Sequence, residues 1–194
     1  MPRTESPPFD RGESDTNVSK YAGFEYDIED NEWGSSAPNR RSGHRVRVRL
    51  VKNSSGIALL PKRLVTFKAG TNRTEVDGYV TLTAAIGYPV DEFLPSGGVA
   101  NGDYFFIVVG GPALVLTGIA SSALNLIPEN SIVVGLTAAT SQATTAGRVK
   151  VRDMTGATEI LGKEVTGGLG HAMSAKTAAN TDADLLLFIS TRWD

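Results

Sequence analysis

From His44 the chain alternates in register: His44-Arg45-Val46-Arg47-Val48-Arg49-Leu50-Val51-Lys52 places basic and aliphatic residues on opposite faces at period two. That period is the signature of a β-strand with one buried side. Asn53-Ser54-Ser55-Gly56 reads as a turn. Ile57-Ala58-Leu59-Leu60-Pro61 follows, with Pro61 at an edge or strand end, and then a short strand over Arg63-Leu64-Val65-Thr66-Phe67. Further strand-like runs are Gly78–Leu82, Tyr104–Val109, Ala113–Thr117 and Ser131–Leu136, punctuated by Asp77-Gly78, Asn101-Gly102-Asp103 and Gly110-Gly111-Pro112. The nearly unbroken apolar run Asp184–Ser190 is assigned as a last strand, although a short helix would give a similar count. Residues 137 to 147 are small and polar without periodicity, and a loop or a short helix fits them equally. Many short strands with turn signals between them predict an all-β fold, a small β-barrel or β-sandwich domain over 44–194. No fixed-period repeat supports a solenoid or propeller.

Residues 1–43 differ. Clustered Pro, Ser, Asp, Glu and Asn with few aliphatics make a segment unable to bury enough surface to fold alone, so an extended N-terminal arm is expected. Within it Phe24-Glu25-Tyr26-Asp27-Ile28-Glu29-Asp30-Asn31-Glu32-Trp33 sets large apolar groups among five carboxylates and no bases. Aromatic anchors of this kind are typical of interfaces. Folding back over their own domain and docking on a neighbour are both open. Candidate docking residues are Phe24, Tyr26, Asp27 and Trp33 in the arm and Arg45, Arg47 and Arg49 in the first strand. The arginines either keep a soluble edge from aggregating or bind acidic groups, those of the arm included.

Composition narrows the chemistry. The 194 residues carry a formal net charge of −2, so no general basic field exists to capture nucleic acid. Cysteine is absent, which removes disulfides, thiolate metal sites and a Cys nucleophile. No stretch is apolar for the length of a helical membrane span, and the start of the chain lacks the apolar run of a signal peptide, so a soluble protein made in a cytoplasm is expected. His44 and His171 belong to no metal-binding spacing, and Gly167-Gly168-Leu169-Gly170 lacks the Gly-Lys-Ser/Thr ending of a phosphate loop. Asp91-Glu92 and Asp182/Asp184 supply carboxylate pairs, but acids so placed usually serve turns and edges. No Gly-x-Ser-x-Gly elbow is present. The expectation is a protein that is not an enzyme, with no catalytic residues, no metal and no cofactor.

The order of segments from Val46 to Trp193 resembles the capsid cement, or head-decoration, proteins of tailed bacteriophages. The likeness is carried by Arg49-Leu50-Val51-Lys52-Asn53 leading to Leu59-Leu60-Pro61 and Val65-Thr66-Phe67. It continues in Val90-Asp91-Glu92-Phe93-Leu94-Pro95, the run Gly98–Ala113, and Thr137–Arg148. The resemblance implies a compact β-domain bound as a homotrimer to the outer surface of the virion, with the major capsid protein and its own copies as partners, and with no membrane or nucleic acid bound. The apolar groups near both ends, Phe24 to Trp33 and Leu185 to Trp193, add to the expectation of a trimer. The alternative is a carbohydrate-binding or adhesion β-module on the virion surface, with Trp33 and Tyr104 as stacking rings. A small hydrolase built on Asp91 or Asp182 is a further possibility.

Overall fold

The computed structural model describes residues 7–9, 12–32, 39–80, 87–117, 132–135, 147–151, 170–175 and 184–189. The described chain is all-β. Ten strands form one sheet, and the only helical element among the described residues is a 3-10 turn, Ser19–Tyr21. In chain order the strands are β1 (Glu25–Glu32), β2 (Asn39–Asn53), β3 (Leu64–Phe67), β4 (Glu75–Tyr79), β5 (Tyr88–Pro89), β6 (Tyr104–Leu116), β7 (Ile132–Gly135), β8 (Val149–Val151), β9 (Gly170–Ala172) and β10 (Asp184–Ile189). The ladder runs β5-β3-β4-β2-β6-β10-β9-β7-β8, with β1 on β2 beside that path.

Two long strands organise the sheet. β2 and β6 pair antiparallel from Arg47↔Gly110 to Lys52↔Tyr104, and the far half of β6 pairs with β10. The other edge of β2 is shared. β1 occupies it through Glu25↔Arg49, and parallel β4 takes over at Lys52↔Glu75. The ladder is open at both ends, and single bridges fold each end back toward β6: Val90↔Ile107 from β5 and Thr117↔Val149 from β8. The fold is thus an open, rolled sheet rather than a barrel closed by continuous strand pairing.

Because side chains alternate across a strand, the β2–β6 pair has two faces to bury. Val46, Val48 and Leu50 pack with Phe106 and Val108 in one core cluster, together with Val115, Val149 and Ile189. Val51, Phe105 and Ile107 point the other way into a second cluster with Leu59, Val65, Val76 and Val90. Burying an aliphatic or Phe side chain of this size contributes about 1.5–3 kcal/mol. A central strand pair buried on both sides is therefore the main anchor of the fold.

Gly110-Gly111-Pro112 reads as a turn in the sequence but lies inside β6. The register slips between Arg47 and Val48, leaving Val109 as the extra residue of a bulge. Gly111 sits at φ +86°, and a Cβ there would collide with the Arg45 carbonyl. A bulge and a turn use the same residues, and here pairing on both edges keeps the strand running. Ile57–Pro61 is not a strand either; Leu59 makes only an isolated bridge to Val99. The fourth strand lies at 75–79 rather than 78–82. The run at 184–189 is a strand, paired to β6 and β9.

The expected boundary between 43 and 44 falls inside β2, which begins at Asn39. Residues assigned to the arm lie on the domain: β1 pairs with β2, Asp15 bridges Tyr104, and Val18 and Tyr26 are buried in the first core cluster. Phe9 packs on Phe106 with ring centroids 4.9 Å apart. Low aliphatic content deprived this segment of a core of its own, but the exposed edge of β2 and the face beside Phe106 supply one.

Candidate functional site

Of the residues singled out for docking, Tyr26, Asp27, Arg45, Arg47 and Arg49 lie on the β1–β2 ribbon and Phe24 just before it. Antiparallel pairing sets Glu25 opposite Arg49, Asp27 opposite Arg47 and Glu29 opposite Arg45. Three acids thus face three bases on one side of the ribbon, the favourable cross-strand arrangement. Arg47 Nε lies 3.0 Å from Asp27 Oδ1. Arg49 Nε donates to Glu25 Oε1 at 2.9 Å, and its guanidinium lies 5.6 Å from the Phe67 ring centroid. The arginine stripe therefore finds partners within the chain.

The other side of the same ribbon is apolar. Tyr26 is 7% exposed and meets Phe106 edge-on at 5.9 Å, so its ring belongs to the core instead of a docking surface. Alternation explains the outcome: with the acids turned toward the arginines, Tyr26 and Ile28 must face the sheet. Trp33 lies outside the described residues.

Phe24 stands apart, half exposed at 50%. It follows the Ser19–Tyr21 turn, and main-chain hydrogen bonds hold that corner on β2: Gly23 N–H to Leu50 C=O at 2.7 Å, Leu50 N–H to Phe24 C=O at 3.0 Å, and Phe24 N–H to Tyr21 C=O at 3.0 Å. Gly23 takes φ +88°, which a residue with a Cβ rarely adopts, and Thr74 Cγ2 would lie 3.0 Å from such a Cβ. Tyr21 meets Phe24 edge-on at 6.3 Å, and Lys20 Nζ sits 4.8 Å above the Tyr21 ring. The product is an aromatic pair beside a cation, presented on a fixed corner. Tyr21, Lys20 and the role of Gly23 were missed in the sequence. The available signal was a glycine immediately before an aromatic residue at the start of an alternating run.

Asp91 and Glu92 serve the fold. Asp91 is fully buried, its Oδ1 accepting the Phe93 amide at 3.3 Å, and Glu92 Oε2 accepts the Leu114 amide at 2.7 Å. Asp182 lies outside the described residues, and Asp184 is placed only as a backbone position in β10. His44 lies in β2, and His171 stacks on Phe188 at 5.4 Å. Among the described residues no cluster of His, Asp and Glu could hold a metal, and no helix is long and apolar enough to cross a membrane. Tyr104 is 9% exposed, which removes it as a sugar-stacking ring. Burial raises the Tyr88 hydroxyl above its ordinary value, an effect opposed by Arg73 and Arg49. Glu75 is held below the usual carboxylate value, first by the Ser54 hydroxyl that donates to it at 2.6 Å and then by Lys68 and Lys52 nearby.

In the sequence Asn53 reads as the first residue of a turn. It is completely buried. Its Nδ2 donates to Ile57 C=O at 2.8 Å and Val99 C=O at 2.9 Å, and its Oδ1 accepts from Ser55 N–H and Ser55 Oγ. Such an amide is a fastener between two loops. No protein-family model, curated protein or solved structure matches this chain.

Proposed function

We propose that this chain is a structural virion protein that binds the exterior of a tailed-phage head as a homotrimer and fastens adjacent capsomers, with the major capsid protein as its partner. The observation that carries the reading is Phe24, an exposed aromatic on a corner fixed by main-chain hydrogen bonds, next to a charged ribbon whose ion pairs form within the chain. A rigid aromatic anchor of that kind binds with little loss of conformational freedom. The choice of partner rests on the resemblance of the segment order to head-decoration proteins. Asp91 and Glu92 are engaged with main-chain amides, which fits a scaffold that needs no chemistry. Its action is mass action: a ligand bound only by the assembled shell stabilises that shell by its binding free energy, summed over many copies.

The test is co-sedimentation of the full chain with empty expanded heads assembled from a tailed-phage major capsid protein. The full chain is expected to pellet saturably. Phe24→Ala is expected to weaken binding about tenfold or more, as loss of an anchor worth roughly 1.4 kcal/mol or above would. A correctly folded wild-type chain that stays in the supernatant would overturn the proposal.

A further inference from the structure

Among the described residues β1 pairs with β2 and with no other strand. Its inner and outer sides follow from the hydrogen bonds at its start. Gly23 N–H and Phe24 C=O both bond to Leu50, so in antiparallel register the main chains of Tyr26 and Ile28 turn toward β2 and those of Glu25, Asp27 and Glu29 turn outward. No described residue bonds the outward N–H and C=O of Glu25 or Asp27. An edge of this kind is a template for another strand.

The side chains beside that edge select the strand it fits. On one face of β1 stand Glu25, Asp27 and Glu29, all exposed; on the other, Tyr26 is buried and Ile28 is only partly covered. A strand added here sets alternate side chains beside the acids and the others over Ile28. Arg49 bonds Oε1 of Glu25 and Arg47 bonds Oδ1 of Asp27, which leaves the second oxygen of each carboxylate without a partner among the described residues. The acids form the outermost row. A base on the added strand lies about 4.8 Å from that row, one strand spacing away, and roughly twice as far from the arginines of β2. Screening at physiological salt, with a Debye length of about 8 Å, weakens the farther repulsion more than the nearer attraction.

The same row disfavours the chain's own copies. Two β1 edges brought together would set Glu25, Asp27 and Glu29 against like charges. The runs of this chain that alternate bases with apolar residues are already placed. Arg45–Lys52 lies in β2. In Arg148-Val149-Lys150-Val151-Arg152, Val149 pairs with Gly135 on one side and bridges Thr117 on the other, and Arg148 is buried against the Thr117 carbonyl.

We propose that the outer edge of β1 takes up, as an added strand, an extended segment of another protein in which Lys or Arg alternates with apolar residues. Main-chain bonds to Glu25 and Asp27 hold the segment, the acids select its charge, and Ile28 takes its apolar face. The site adds a second contact to the Phe24 corner and does not depend on the partner being a capsid protein.

The probe is a labelled peptide copying Gly43–Asn53, the pattern that β1 already pairs with through its inner edge, titrated with the full chain and followed by fluorescence anisotropy. A control peptide holds the same residues with the arginines grouped together, which keeps the charge and loses the period. The alternating peptide is expected to bind at least about tenfold tighter than the control. Asp27→Pro removes an outward N–H that no bond to β2 uses, and Asp27→Lys reverses the charge with the main chain intact. Each is expected to weaken binding at least about tenfold, with circular dichroism as the check on folding. If Asp27→Pro does not fold, hydrogen exchange of the Asp27 amide in wild type reads the same bond: it should slow when peptide is added, and unchanged exchange counts against the proposal. No binding, equal affinity for the two peptides, or wild-type affinity in either folded variant would overturn it. So would a wild-type oligomer in sedimentation equilibrium that Asp27→Pro converts to monomer, because a second copy would then occupy the edge.

Discussion

Replacing Asn53 by Ala tests whether one buried amide fixes the loop end of the molecule. The substitution deletes two donors aimed at Ile57 C=O and Val99 C=O and one acceptor used by Ser55. A neutral hydrogen bond contributes about 0.5–1.5 kcal/mol net, and a buried group left unpaired costs about 1–3 kcal/mol. The carbonyls are not wholly orphaned, because Val99 C=O keeps the Leu59 amide and Ile57 C=O keeps the Ser55 hydroxyl. The expected loss is therefore about 2–4 kcal/mol. In a chain of this length that corresponds to roughly 4–16 °C in Tm. Urea unfolding followed by circular dichroism, with the slope unchanged, reads the loss directly. Asn53→Asp sharpens the test, since its carboxylate would present acceptors to two carbonyls; burial there raises its folded pKa above the ordinary aspartate value, so its deficit at neutral pH should exceed that of Asn53→Ala and shrink as pH falls toward about 4, where a protonated carboxyl regains a donor. A loss under about 1 kcal/mol for Asn53→Ala would refute the fastener role.

Tyr26→Ala, which empties a buried ring site against Phe106, is expected to cost about 3–5 kcal/mol in equilibrium unfolding, as core aromatics do. An unchanged midpoint would place β1 outside the cooperative unit. The exposed Arg47–Asp27 pair should show a coupling of only about 0.2–1 kcal/mol in a double-mutant cycle and should weaken with added salt. A larger, salt-independent coupling would contradict the exposed geometry. Gly111→Ala should destabilise by more than about 1 kcal/mol, because it places a Cβ at positive φ against the Arg45 carbonyl, and a neutral effect in thermal unfolding would show that the bulge can relax. Glu75 has a lowered folded pKa, so the stability it contributes is present above its ordinary value of 4.5 and disappears as pH falls through the lower folded value. Wild type should accordingly be modestly more stable than Glu75→Gln at neutral pH, with the gap closing on acidification, and a gap that widens in acid would have the wrong sign.

Period-two alternation was enough to read the all-β class and the core face of β2 from the sequence, because burial of Val46, Val48 and Leu50 leaves no other arrangement for the arginines. The same alternation runs through Glu25–Glu29, but the polar composition of residues 1–43 as a whole reads as an arm. Nothing local distinguishes a polar tail from a polar strand whose partner lies some twenty residues away, and the complementarity of Glu25, Asp27 and Glu29 to Arg49, Arg47 and Arg45 becomes informative only when the two segments are aligned antiparallel. Tyr26 was misassigned to a docking surface for that reason. The bulge at Gly110-Gly111-Pro112 shares its residues with turns, so pairing on both sides of β6 decides between them. Asn53 was invisible as a fastener, since its distant partner, the Val99 carbonyl, comes from a loop whose apposition depends on the Leu59–Val99 bridge. The exposure of Phe24 depends on the Gly23 corner docking on Leu50, a tertiary contact that no spacing encodes.

Thermal rupture of packaged heads tests the central claim most directly. Under the proposed function, packaged tailed-phage heads lacking this chain are titrated with the purified full-length protein and heated while DNA release is followed by dye fluorescence. The account predicts a release temperature that rises with added protein until the sites are filled, and a shallower titration with Phe24→Ala. A release temperature unaffected by a saturating amount of folded protein would contradict it.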